Sequence, residues 1–189
     1  MNNLGIKSFR QIIDEYTFVF IQIKKRMDFF DKLILKGYQI PSAGNYYKFQ
    51  TLDDAYQIQK ILLQEIDWKY ILELMASLEA KLVYFFRYDL KRKSDLGRIY
   101  RSEVPSIVIS GGKHLMFQDI VKIFKTYMQP IDNIAYADFK NLIELRNWLA
   151  HGCAWDFTIY LNKFDFNYAY EAIIKIISYL PQQTVDLKQ

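Results

Sequence analysis

The chain has 189 residues, 51% hydrophobic and 24% charged, which excludes a disordered polymer and fits one globular domain. Seven Gly and four Pro, where average usage gives about 23 together, argue against the many tight turns of a β-sandwich or barrel and for long helices. The net charge is only +4, and one cysteine with two histidines excludes an internal disulfide and a cysteine-based zinc site, so neither a metal nor another cofactor is expected.

No apolar run reaches the roughly 18 residues of a membrane span. The opening MNNLGIKSFRQ lacks a basic cluster followed by an apolar block, so a cytoplasmic chain with no membrane partner is expected. Phe9, Ile12, Ile13, Tyr16, Val19, Phe20, Ile23, Met27, Phe30 and Ile34 recur at helical spacing and predict a first helix over about 8–36, ended by Gly37. QIPSAGNYYKFQ reads as a loop. Thr51-Leu52-Asp53-Asp54 resembles a capping box opening a helix through Ile58, Ile61, Leu62 and Ile66, which Asp67 either restarts or continues. The stretch after it carries the clearest stripe in the chain: Ile71, Leu74, Met75, Leu78, Leu82 and Phe85 or Phe86.

Residues 93–114, with Gly97, Pro105, Gly111 and Gly112, are expected to be irregular, with a short strand conceivable over 106–110. SGGKH lacks both the spacing and the hydroxyl of a nucleotide P-loop, and His114 is expected to be exposed. Three more helices are predicted, over about 115–128, 137–150 and 165–180. Pro130, Gly152 and Pro181 act as their stops. The fold class is therefore all-α: a single-domain helical bundle of five or six helices spanning 1–189.

The positive charge is concentrated. Residues 81–101 hold seven basic and two acidic side chains, whereas 1–80 are neutral and 102–189 carry −1. Lys81, Arg87, Lys91, Arg92, Lys93, Arg98 and Arg101 are interleaved there with Tyr84, Phe85, Phe86, Tyr88 and Tyr100. Cations that neutralise phosphates beside rings that stack bases are the pattern expected at a single-stranded nucleic-acid surface, with Lys91, Arg92, Lys93, Arg98 and Arg101 as the candidate RNA contacts. The competing reading is a helix end whose lysines meet the dipole and whose aromatics are core.

Arg146-Asn147-Trp148-Leu149-Ala150-His151-Gly152 is the most informative heptapeptide. It resembles the motif of the HEPN superfamily: Arg, four to six residues, then His, often with a polar residue directly after the Arg, on a late helix of a small helical domain. LELMASLEAKLVYFF is loosely similar to the earlier helix of abortive-infection-type HEPN proteins, where a Glu sits amid apolar residues. The resemblance covers about 50–180 and leaves the first helix, 8–36, as an added element.

The resemblance implies an endoribonuclease of a toxin–antitoxin or antiphage system, a homodimer in which two motifs share a cleft, and an antitoxin partner, protein or RNA. It implies Arg146 and His151 as catalytic, with Asn147 orienting one of them. On an ideal helix Arg146 and His151 stand about 140° apart, while Asn147 and His151 are i,i+4 neighbours. RNA brings its own nucleophile, the 2′-hydroxyl; a His can move its proton or protonate the leaving oxygen, and a guanidinium can stabilise the phosphorane. Glu79, at the edge of the apolar stripe, is either a partner of Arg146 or a solvated flank residue. Trp148 and Trp155 either stack a base or pack in the core or a dimer interface. Cys153 stands where some HEPN toxins carry a Tyr that their antitoxin modifies, which puts that regulation in doubt. The alternative function is a non-catalytic HEPN-like module binding RNA, nucleotide or a protein.

Overall fold

The computed structural model describes residues 6–36, 52–105, 109, 114–152 and 164–180. Among them the chain is all-helical, a bundle of six α-helices with no strand: α1 (Phe9–Leu35), α2 (Leu52–Tyr84), α3 (Asp95–Glu103), α4 (Phe117–Tyr127), α5 (Asn133–Ala150) and α6 (Phe166–Ser178). None of these helices is long and apolar enough to cross a membrane.

The helix starts follow local chemistry. The Ser8 hydroxyl accepts the Gln11 N–H (3.3 Å) while the Gln11 side chain accepts the Ser8 N–H (2.9 Å), which satisfies two donors at the start of α1. Ser94, Asp132 and Asp165 accept the N–H groups of Gly97, Ala135 and Tyr168 at 3.0, 2.9 and 2.7 Å and so start α3, α5 and α6. α5 begins a turn earlier than its apolar stripe suggests, because the Asp132 cap sets its start. Thr51 and the side chains of 52–55, which would form the expected cap of α2, lie outside the described residues.

α2 is the central element and packs against α1, α4, α5 and α6. Its predicted stripe is the core: Ile71, Leu74, Met75, Leu78, Leu82, Phe85 and Phe86 are all buried. Each such side chain contributes about 1.5–3 kcal/mol relative to exposure, enough to hold the helix whatever its ends do. Phe124 and Phe139 meet edge to face at 5.2 Å and join α4 to α5. Tyr16 stacks on Phe166 at 3.8 Å and donates a hydrogen bond to Asp67 at 2.8 Å, which ties α1 to both α6 and α2.

The end of α2 departs from α-geometry. Phe85–Asp89 form a π-turn, closed by the Leu90 N–H on the Phe85 carbonyl at 2.9 Å. The wider turn puts both neighbouring rings, Phe85 and Phe86, into the core and leaves Tyr84 and Tyr88 outside. The stretch expected to be irregular then holds α3. The Ser94 cap starts it, and Leu96 and Tyr100 bury its inner face. Gly97, which reads in the sequence as a breaker, is there for close approach: a Cβ would lie 2.3 Å from the Lys91 carbonyl oxygen. Of the conceivable strand, Ile109 is described. Its N–H bonds the Pro105 carbonyl at 3.2 Å, a helical bond and not a ladder bond.

α1 and the first half of α2 run antiparallel, with Lys7 beside Glu73 and Tyr16 beside Asp67. Among the described side chains, α1 has no buried residue after Tyr16 and α2 none before Tyr70. Val19, Phe20, Ile23, Met27, Ile58, Leu62 and Ile66 are half-buried there, and Ile61, expected inside, is 54% exposed.

Candidate active site

The heptapeptide occupies the last turn of α5. Leu142, Leu145 and Trp148 face the core, which fixes the rotation of the helix and sends Arg146 and Asn147 to its flank. Trp148 meets Trp68 edge to face at 5.3 Å, so it is a packing residue between α5 and α2. The indole N–H of Trp68 is buried beside it with no hydrogen-bond partner among the described residues. Trp155 and Cys153 lie outside the described residues.

Arg146 reaches across to α2. Its Nη2 donates to Glu79 Oε2 at 3.0 Å, and its Nη1 donates to Asn147 Oδ1 at 3.0 Å. The Arg146 and Glu79 side chains keep 35% and 31% of their surface exposed, so the pair forms at the rim of the core and not within it. Of the two readings of Glu79, the partner of Arg146 is the one observed. A guanidinium held on two sides has a fixed plane, with its remaining N–H groups directed elsewhere.

Helix α5 stops at His151. Its N–H bonds the Asn147 carbonyl at 3.1 Å, and the next N–H, of Gly152, bonds the Leu149 carbonyl at 3.1 Å. Gly152 takes φ +67°, the left-handed cap expected from the sequence. The His151 side chain is exposed at this terminus. Asn147 therefore touches both neighbours: its side-chain oxygen accepts from Arg146 and its backbone carbonyl from His151. Glu79, Arg146 and Asn147 are linked through their side chains from α2 to the end of α5, and His151 follows through its backbone N–H.

The basic segment resolves into a turn and a helix. Lys91, Arg92 and Lys93 are exposed on the turn between the π-turn and α3. Its backbone is pinned by Gly97, and the Lys91 carbonyl accepts the Ser94 hydroxyl at 2.6 Å. Arg98 pairs with Asp95, and Arg101 donates to the Arg92 carbonyl. These two cations are thus partly engaged, while both remain exposed. Of the five interleaved aromatics, Phe85, Phe86 and Tyr100 are core, whereas Tyr84 and Tyr88 are 45% and 63% exposed with ring centroids 4.9 Å apart. Burial pushes the Tyr100 phenol up from its ordinary value, and Arg87 works against that shift.

The contact missed by sequence reasoning is Arg87 Nη2 to His114 Nδ1 at 3.3 Å, which brings a histidine to the basic segment. No spacing signal announces a pair separated by 27 positions. Lys81, counted in the basic segment, instead lies over the Phe9 ring at 4.9 Å. Among the described residues no group of three or more His, Cys, Asp or Glu side chains is placed to hold a metal ion. The chain matches no protein-family model, no curated protein and no solved structure.

Proposed function

We propose that the chain is a metal-independent HEPN-type endoribonuclease, acting as a homodimer in a toxin–antitoxin or antiphage setting. The observation that carries this reading is the series Glu79–Arg146–Asn147 leading to His151 at a helix end. It puts a fixed cation and an exposed imidazole on the same end of α5, and these are the two groups that phosphodiester cleavage by a 2′-hydroxyl requires. The 2′-oxygen attacks phosphorus, the 5′-oxygen leaves, and His151 moves a proton at one of these oxygens. Arg146 offsets charge on the non-bridging oxygens. The products carry a 2′,3′-cyclic phosphate and a 5′-hydroxyl, and DNA resists. The exposed turn Lys91–Arg92–Lys93, with Arg98 and Arg101 on α3, supplies a track for the RNA backbone, and Tyr84 and Tyr88 offer faces for bases.

The test is RNA cleavage with EDTA present, comparing wild type with Arg146→Ala and His151→Ala. Each substitution is expected to lower the rate by about 10²–10⁴-fold. Full activity in His151→Ala, or a requirement for added metal, overturns the mechanism. A second reading, a non-catalytic RNA-binding module, is favoured by the engagement of Arg146 on two sides, as in a structural ion pair. RNA binding without cleavage by wild type would select it.

A further inference from the structure

We infer that the outer face of α1 is a seam for a second copy of this chain, paired antiparallel about a two-fold axis passing between residues 26 and 27. Phe18, Ile21, Lys25, Asp28, Lys32 and Leu35 recur in alternating steps of three and four, the spacing of a coiled-coil a/d seam, here apolar at its two ends and charged in the middle. All six are exposed; Phe18 is 64% and Leu35 77%. They lie on the opposite side of α1 from Val19, Phe20, Ile23 and Met27, the half-buried apolar positions described in the same stretch. The seam is about 26 Å long. It runs along the part of α1 that has no buried described side chain after Tyr16, where among the described residues α1 and α2 leave apolar surface uncovered.

The order of charges selects both the partner and the direction. In an antiparallel pair, a positions of one helix face d positions of the other. With the axis at the centre of the seam, Phe18 faces Leu35, Ile21 lies along the alkyl stem of Lys32, and Lys25 faces Asp28, each contact occurring twice. A parallel pair would set Lys25, Asp28 and Lys32 each against its own copy. Sliding the antiparallel pair by one heptad sets Phe18 against Asp28, or carries Phe18 and Ile21 past the end of the facing α1. A self-complementary order of this kind is what an isologous contact between identical chains demands. The seam is on a different helix from Arg146, Glu79 and the basic turn, so it can fail while the catalytic assignment stands; the two share only the homodimer.

The experiment is sedimentation of the full chain over a concentration series, with circular dichroism to check that each variant keeps its helix content. Wild type is expected to dimerise. Lys25→Asp alone and Asp28→Lys alone each set like charges face to face and are expected to weaken dimerisation about tenfold or more. The double variant K25D/D28K restores it. The two single variants mixed together form a heterodimer, because each then meets the opposite sign. A wild-type chain that stays monomeric overturns the assignment. So does a dimer indifferent to the single substitutions, which would pair through another face.

Discussion

Arg146 shows how much one side chain's neighbours decide. A half-exposed ion pair such as Arg146–Glu79 contributes at most about 1 kcal/mol to stability once solvent screening is counted. What the pair adds is geometry: Glu79 and Asn147 hold the guanidinium plane from two sides. On the proposed ribonuclease reading, Glu79 is a positioning residue. Glu79→Ala is expected to lower kcat for RNA cleavage about tenfold or more, with KM and melting temperature nearly unchanged. Glu79→Gln, which keeps an acceptor for Nη2, should recover most of the rate. A Glu79→Ala variant that keeps full kcat would reduce the contact to a structural one. The Trp148–Trp68 packing behind α5 limits the freedom of the same turn, so the site rests on the core on one side and on solvent on the other.

On the proposed function, the element that matters most for RNA is the turn between the π-turn and α3. Its three cations are presented together because Gly97 lets the backbone of 91–92 lie directly on α3, an approach that any side chain at that position would block. The π-turn decides which rings remain outside, leaving Tyr84 and Tyr88 next to the cations. Replacing Lys91, Arg92 and Lys93 together by Ala is expected to weaken single-stranded RNA binding. It should also reduce the slope of log K against log salt by about 2, at about 0.7 per phosphate contact for a single strand. Fluorescence anisotropy over a salt series measures both. An unchanged slope would remove this turn from the RNA path while leaving Arg146 and His151 untouched.

At the scale of the whole molecule, Asp132 ties the start of α5 to the end of α6. It accepts the Ala135 N–H at 2.9 Å, pairs with Lys175 at 2.7 Å and accepts the Tyr179 hydroxyl at 2.8 Å. Those three donors, the backbone N–H foremost, hold its carboxyl well below the usual carboxylate range. A carboxyl depressed by folding contributes stability above its unfolded value and loses that contribution as pH falls toward the folded one. Asp132→Asn, which retains capping ability, is therefore expected to melt below wild type at neutral pH. The gap should close as the pH is lowered from about 5 through the carboxylate range. A gap constant with pH would mean that the charge is not what joins the two helices. Asp67 acts in the opposite sense: burial raises its carboxyl, and the Tyr16 hydrogen bond only partly offsets this. Its charged form costs stability that is recovered as pH falls.

Periodicity and caps were legible in the residues themselves, because both depend on neighbours within about a turn. The stripe Ile71–Leu82 is the core, Gly152 is the left-handed stop of α5, and Asp165 starts α6 as its position implied. The all-α architecture follows from those local features together with the scarcity of Gly and Pro. α3 was hidden because its stripe is short and its glycine reads as a breaker until the Lys91 carbonyl is seen against it. Ile61 reads as core by spacing alone, yet among the described residues no further helix covers α1 and α2 where it lies. Arg146, Asn147 and His151 could be singled out because their heptapeptide resembles the HEPN motif. The role of Glu79, the sorting of five aromatics into core and surface, and the meeting of Arg87 with His114 depend on chain segments far apart in sequence. Only packing brings such segments together, so only the tertiary structure decides them.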